Sequence, residues 1–312
     1  MELYKKFSLA VSFGLIKTEE LENIIIKYSN YIHDIYFSPT ESLKYQTRRN
    51  VYDFDNTNND ERRNSLSRII STARAYDIKT SMTLNSSMIN IDEALLALEE
   101  YYNIYKFDYL TTTLPIAKRV KSIYPDLNII CSYNEGVVSY DKLKDIINSG
   151  VFFAVVLGNK YIRDPYAFGL LRNAGIKAIL MLNTGCVIGC TSFCNNGDDI
   201  DYCKRLFNSA LSKIDINKMY ATQSVFPEEL KEYDLHNIQI DVFKLASRPI
   251  AANELKLLLD SYTAEESYSY IQNSIYNYHL YARLAHYVQH YTQLNYNKIL
   301  SIKQELWNNI EL

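Results

Sequence analysis

Four cysteines lie close together in one stretch of the sequence: Cys186, Cys190, Cys194 and Cys203. Cysteines this dense are not needed for packing alone, because Ser, Ala or Val would fill the same space without the liability to oxidation. Their spacing, C-x3-C-x3-C-x8-C, supplies four soft sulfur ligands, which suit zinc or an iron–sulfur cluster. The sequence therefore predicts a metal or iron–sulfur site with these four cysteines as ligands.

The spacing of the cysteines favours an iron–sulfur cluster over zinc. Structural zinc sites usually contain two C-x2-C pairs, and this stretch has none. The radical-SAM pattern C-x3-C-x2-C normally follows the first strand of its fold, and here both the second spacing and the position in the chain differ. Zinc stays the alternative cofactor. A disulfide formed for redox purposes and cysteines without any function stay open as well.

Charge and hydropathy limit the classes of protein. The 312-residue chain has 33 Lys and Arg against 36 Asp and Glu, a net charge of −3. This balance, without a long basic block, excludes a protein that mainly coats nucleic acid but allows a local basic groove. The apolar run 7–16 lacks a signal-peptide cleavage site, and no stretch reaches the ~18 apolar residues of a membrane span. We expect a cytoplasmic protein without membrane contact, where a reducing environment favours metal binding over disulfides.

Short apolar runs alternate with amphipathic helical segments along the chain, which predicts a (β/α)8 TIM-type barrel. An open doubly wound sheet is the alternative, disfavoured because no glycine-rich loop follows the first strand. We expect the barrel over residues 1–250 and C-terminal helices packed on it over residues 251–312. The predicted strands are 9–13, 34–38, 79–84, 109–113, 127–132, 152–157, 178–183 and 238–245.

Charged residues follow the predicted strands at the end where barrels of this kind have their active sites. Lys244 and Arg248 flank the end of the eighth strand, beside the cysteines that follow the seventh. Such a pair of cations suits a phosphate or carboxylate, although Arg248 has the alternative of capping its own loop. Glu135 follows the fifth strand and is a candidate general acid or base, or a substrate ligand. A solvated loop carboxylate is the alternative for Glu135.

Two further groups are interpreted as structural. Cys131 lies inside the fifth predicted strand and is expected to be a small buried hydrophobe. His279, His286 and His290 share one face of a C-terminal helix by their spacing. The surrounding tyrosines favour a half-buried aromatic face there over a metal site.

Three segments of the sequence resemble the U32-type (collagenase-like) peptidase family. Asn183-Thr-Gly-Cys186-Val-Ile-Gly-Cys190 is similar to its Asn-Glu-Gly-Cys … Cys segment, and Ser224 to Tyr233 is similar to its Arg-Pro-Glu … Leu … Tyr stretch. Ile238 to Arg248 resembles its Asp-x-Phe-Lys-Ile-x-Gly-Arg. The resemblance covers roughly residues 128–262. The chain departs from the family at three positions, with Thr184 for Glu, Phe226 for Arg and Ser247 for Gly.

The resemblance implies a barrel enzyme with an oxygen-sensitive [4Fe–4S] cluster on four cysteines. Family members hydroxylate RNA bases or the ubiquinone ring without dioxygen. For this chain we expect oxygen-independent hydroxylation, or a related modification, of an RNA base or a small aromatic or anionic metabolite. The near-neutral charge favours a small substrate. Lys244 and Arg248 would hold its anionic group, with Glu135 nearby.

Two other functions stay open at this point. A peptidase, as a few family members are described, would cleave peptides even after the cysteines are replaced. A non-catalytic partner subunit would carry the cluster, or none, within a hetero- or homo-oligomer with a related barrel protein. It would co-purify with that protein and show no activity alone.

Overall fold

The computed structural model describes residues 6–11, 16–39, 59–86, 89–182, 209–210, 212–245, 251–263 and 295–310. In these residues, eight parallel strands pair in chain order, and the eighth pairs with the first to close a barrel. The prediction of a (β/α)8 barrel is confirmed, and the open doubly wound sheet is excluded. Within the same residues, no helix combines the length and apolar character needed to cross a membrane.

Strands and helices alternate through the barrel. The strands are β1 (Phe7–Ala10), β2 (Ile32–Phe37), β3 (Lys79–Leu84), β4 (Tyr109–Thr112), β5 (Asn128–Cys131), β6 (Ala154–Leu157), β7 (Lys177–Met181) and β8 (Val242–Leu245). The helices are α1 (Thr18–Lys27), α2 (Asn59–Ala75), α3 (Ile91–Tyr105), α4 (Leu114–Ile123), α5 (Tyr140–Asn148), α6 (Pro165–Asn173), α7 (Ile216–Gln223), α8 (Leu230–Leu235), α9 (Ala252–Thr263) and α10 (Tyr296–Asn308). Short 3-10 helices span Tyr133–Glu135, Asn159–Tyr161 and Pro227–Glu229.

The eighth strand is shorter than its apolar run predicts. Ile238 N donates to Tyr233 O at 2.7 Å after Asn237, whose φ of 53° ends helix α8 in the left-handed region. The side chain of Asp241 then accepts a hydrogen bond from Ala178 N at 2.8 Å. The chain before residue 242 therefore forms a turn after helix α8, and the strand begins at Val242.

The outward faces of the strands form the main core with the surrounding helices. Residues such as Leu9, Ile35 and Leu180 are fully buried between the sheet and the helical layer. Cys131 belongs to this layer, and burial raises the pKa of its thiol. The interpretation of Cys131 as a small buried hydrophobe is therefore confirmed.

The inward faces of the strands stack in layers of four side chains, each layer drawn from alternate strands as in other barrels of this class. The pairing register gives the two lower layers as Asp34, Tyr109, Ala154 and Val242, then Ser8, Ser81, Ile130 and Ile179. It gives the two upper layers as Tyr36, Thr111, Val156 and Lys244, then Ala10, Thr83 and Met181. Ser132 continues β5 two residues after the inward Ile130, and its N donates to the Thr112 carbonyl. The interior is therefore largely polar along β1–β4 and largely apolar along β5–β8.

Helix α10 is held against the barrel by three buried charged residues and a tryptophan, here named the Glu229 cluster: Arg163, Glu229, Lys303 and Trp307. The Glu229 carboxylate contacts the Arg163 guanidinium, pairs with Lys303 Nζ at 2.6 Å and accepts from Trp307 Nε1 at 2.9 Å. Lys303 also donates to the carbonyl of Ala221 at 3.2 Å. These contacts join the segment after β6, the turn before α8 and helix α10. The boundary predicted at residue 250 lies outside the described residues and stays a prediction.

Burial and neighbouring charge act against each other in this cluster. Burial alone would raise the pKa of Glu229, but Lys303 and Arg163 beside it lower that pKa below its ordinary value. Burial lowers the pKa of Lys303 to about 7, although the attraction of Glu229 opposes the change. Each charge thus depends on the other members of the cluster, because an unpaired charge at this depth is strongly unfavourable.

Replacing Glu229 by Ala should lower the free energy of unfolding by about 3–5 kcal/mol, because it leaves two buried cations without their carboxylate. Urea unfolding followed by circular dichroism measures this. Lys298→Ala is the matched control, since the Lys298–Asp215 pair is exposed, with 53% and 47% of the two side chains accessible. We expect a loss below about 1 kcal/mol for the control. Equal losses for both variants would contradict the importance given to the cluster.

Lys303 should also make stability depend on pH. Its pKa falls on folding from 10.5 to about 7, so between these values the unfolded chain binds more protons on this residue. The free energy of unfolding should therefore rise with pH across that window on account of Lys303. Lys303→Met should flatten this rise in urea titrations at a series of pH values. Lys298→Met should leave the rise in place, and an unchanged slope in Lys303→Met would count against the assignment.

Candidate functional site at the barrel mouth

Lys244 lies inside the barrel, in the third layer from the bottom. It stands in register with Ser8 on β1 and Met181 on β7. Its Nζ lies 3.6 Å from the centroid of the Tyr36 ring on β2, and the residue is 8% exposed. The Tyr36 hydroxyl donates to the Leu245 carbonyl at 3.0 Å. The structure thus places a buried cation on an aromatic face near the carboxyl-terminal end of the barrel, a stabilising arrangement.

The ends of β3 and β5 meet through an amide–hydroxyl network. Asn85 Nδ2 donates to Ser132 Oγ at 2.7 Å, and the backbone N of Asn134 donates to the same oxygen at 3.2 Å. Asn134 Nδ2 donates in turn to the Asn85 carbonyl at 3.2 Å. Asn85 and Asn134 follow β3 and β5, and the barrel brings them together through Ser132.

Both carboxylate oxygens of Glu135 have partners in the chain. One accepts from Leu114 N at 2.7 Å, at the first residue of α4, and the other pairs with Lys142 Nζ at 2.7 Å. The side chain is 9% exposed. A carboxylate at a helix N-terminus is favoured by the helix dipole, so these contacts hold the start of α4. A catalytic role for Glu135 stays a prediction.

Tyr133 lies against the end of β6. It packs on the apolar side of the barrel interior, and its ring occupies the space where a side chain at Gly158 would begin. A Cβ added to Gly158 would overlap the ring carbons. The Tyr133 ring can occupy this position at the mouth only because residue 158 is a glycine.

Thr83 is the inward residue that sequence reasoning missed. Ser81 Oγ and Thr111 Oγ1 bond each other at 3.1 Å, and Ser8 Oγ donates to Asp34 at 2.9 Å. Thr83 is 7% exposed, and its hydroxyl has no partner within the described part of the chain. The alternation of Ser81, Thr83 and Asn85 was the available signal, because alternate strand residues share one face.

The chain leaves β7 next to the backbone of Lys244. Leu182 N donates to the Lys244 carbonyl at 3.0 Å, and Leu182 is the last described residue before the cysteines. The four predicted ligands, Arg248 and the three C-terminal histidines lie outside the described residues. Among the residues that are described, no group of three or more His, Cys, Asp or Glu could hold a metal. The cysteine and Arg248 assignments stay predictions.

Gly158→Ala should destabilise the protein by about 1–3 kcal/mol, because the added methyl group must displace the Tyr133 ring. In a Tyr133→Ala background the same change should cost much less, since the obstacle is gone. The coupling energy from a double-mutant cycle in urea measures this contact directly. Additive losses would mean that the ring does not limit residue 158.

Comparisons with known proteins show likeness in fold alone. No protein-family model matches the chain, and no curated protein matches it. Among solved structures, the U32 peptidase Mk0906 is 11% identical with a TM-score of 0.49, over 79% of this chain and 94% of that one. The N-acetylneuraminate lyase of Fusobacterium nucleatum is 12% identical with a TM-score of 0.42, over 97% and 80%. A point mutant of the O-GlcNAc hydrolase of Thermobaculum terrenum is 8% identical with a TM-score of 0.47, over 86% and 62%. At such identities these chains are similar to this one as barrels, and the family resemblance stays a prediction.

Proposed function

We propose that the chain is an iron–sulfur enzyme whose active site lies at the barrel mouth above β7 and β8. One observation supports the location. Leu182, the last described residue before the cysteines, donates its backbone N–H to the Lys244 carbonyl, so the chain leaves β7 next to the backbone of Lys244. Chain connectivity limits how far Cys186 can lie from Leu182, since four residues span at most about 14 Å.

The ligand set fits the proposed cofactor. Cys186, Cys190, Cys194 and Cys203 offer the four thiolates that a [4Fe–4S] cluster takes, with zinc as the alternative occupant. A bound cluster would supply one-electron transfer. Cys131 is a poor candidate ligand, because it is fully buried on the outward side of β5 and burial raises the pKa of its thiol.

Lys244 would bind the substrate. A buried ammonium pairs best with an anion that is also shielded from water, and the ring of Tyr36 fixes the lysine from one side. Arg248 follows Lys244 by four residues and would add a second cation for the same group. The proposed reaction is oxygen-independent hydroxylation, or a related modification, of an RNA base or a small aromatic or anionic metabolite. In the hydroxylation, water would supply the oxygen atom, and an external electron acceptor would take up the two electrons one at a time through the cluster. The net charge of −3 favours the small substrate.

Anaerobic purification followed by iron and sulfide counting tests the cofactor. We expect about four iron and four sulfide per chain, with visible absorption that bleaches in air. Replacing any of the four clustered cysteines by Ser should reduce the iron content, whereas Cys131→Ala should not. A colourless protein without iron would exclude this function, and bound zinc without iron would favour the alternative metal.

A further inference from the structure

The peptide group between Ser224 and Val225 contacts buried charge on one side and the barrel on the other. Its carbonyl accepts hydrogen bonds from Lys303 Nζ and, at 3.4 Å, from the Arg163 guanidinium. Its N–H donates to the Leu182 carbonyl at 3.1 Å. Because a peptide group is planar, its carbonyl and its N–H cannot turn independently. The two cations therefore help to fix the direction of the Val225 N–H.

Leu182 extends this contact to the eighth strand. Its carbonyl accepts from Val225 N, and its own N–H donates to the Lys244 carbonyl at 3.0 Å. Leu182 and Val225 are both fully buried, so no solvent water can take over either bond. A path of hydrogen bonds thus runs from the Lys303 ammonium through the Ser224–Val225 peptide and Leu182 to the Lys244 backbone. We name this path the Lys303 relay.

Lys303 is the close donor at the start of the relay. The side chain comes from helix α10 and also donates to the Ala221 carbonyl at 3.2 Å, in the last turn of α7. Carbonyls at a helix C-terminus lack partners within their helix, and a cation there is favoured by the helix dipole. Ser224 is 5% exposed. Without the ammonium, its buried carbonyl would keep only the longer contact with Arg163.

The relay joins two residues that enclose the clustered cysteines in the sequence. Leu182 precedes Cys186 by four residues, and Val225 lies beyond Cys203. The hydrogen bond between Val225 and Leu182 therefore joins the two ends of the stretch that carries all four thiols. Holding the ends of a chain segment together lowers the entropy cost of bringing its ligands to one metal site.

We infer that Lys303 is a positioning residue for the proposed iron–sulfur site. Through the Lys303 relay it fixes both ends of the cysteine-bearing stretch and the neighbouring backbone of Lys244. Docking of α10 and binding of the cofactor then favour each other, and such coupling is reciprocal. The inference rests on the proposed function for the identity of the cofactor, whereas the relay is tested without it.

Amide hydrogen exchange of the full chain tests the relay, at a pH below about 7 so that Lys303 carries its charge. Lys303→Met should raise the exchange rates of the Val225 and Leu182 amides about tenfold relative to amides of β2 and β3. This is the effect expected when a hydrogen bond to a charged group is lost locally. Trp307→Phe is the matched control, because it weakens the same helix and keeps the ammonium on Ser224. It should not cause this selective rise.

Release of iron to EDTA under anaerobic conditions tests the positioning role. The visible absorption of the cluster should disappear about tenfold faster in Lys303→Met than in the wild type, on the same argument of one charged hydrogen bond. Trp307→Phe should release iron at a rate close to that of the wild type. Lys303 is not among the proposed ligands, so a faster release reports on how the site is held.

Three results would overturn the inference: unchanged exchange at Val225 and Leu182 in Lys303→Met, an equal rise at every strand, or iron release at the wild-type rate. If Lys303→Met does not fold, the wild type decides. Its Val225 amide should then be as protected as those of β7, and exchange as fast as at an exposed amide would exclude the relay. Selective exchange in a protein without iron would keep the relay and exclude the iron–sulfur enzyme. An iron-loaded protein without selective exchange would do the reverse.

Discussion

Closure of the sheet between β1 and β8 is the constraint on which the site depends. The pairing of Ser8 with Lys244 fixes the stagger around the barrel, and the stagger decides which inward residues share a layer. Lys244 meets Tyr36 across β1 because the inward side chains of β1 there, Ser8 and Ala10, are small. An open sheet of the same strands would have β1 and β8 on opposite edges, so β8 would lie far from β2. The buried cation is therefore a property of the closed barrel.

The barrel interior and the Glu229 cluster handle buried charge in different ways. In the cluster, Glu229 meets Lys303, Arg163 and the Trp307 indole, so each ionised group has a close partner. Such arrangements hold segments in register while adding little net stability relative to apolar packing. In the interior, Lys244 Nζ lies against the face of the Tyr36 ring instead. The cluster joins separate chain segments, whereas the contact of Lys244 with Tyr36 joins two strands of the barrel.

The fold could be predicted from the sequence because its signals are local. Apolar runs and helical periodicity located all eight strands, and Cys131 was correctly assigned to the core. Lys244 was predicted to flank the end of the eighth strand, and the structure places it within β8, in the upper part of the barrel. The contact with Tyr36 and the unpaired hydroxyl of Thr83 could not be predicted, because both depend on pairing between strands distant in sequence. Glu135 is a similar case, since Leu114 N, its partner, lies on another βα unit.

The order of residues in the Glu229 cluster has a consequence for biosynthesis. Arg163 precedes Glu229 in the chain, whereas Lys303 and Trp307 follow all eight strands. When the last barrel strand of a nascent chain has been synthesised, Glu229 can pair with Arg163. Lys303 and Trp307, its other partners, have not yet been made. The surface that Trp307 covers, including Tyr233, is exposed at that stage. The newly synthesised barrel thus passes through a co-translational state with exposed aromatic surface, which is the kind of state that chaperones bind.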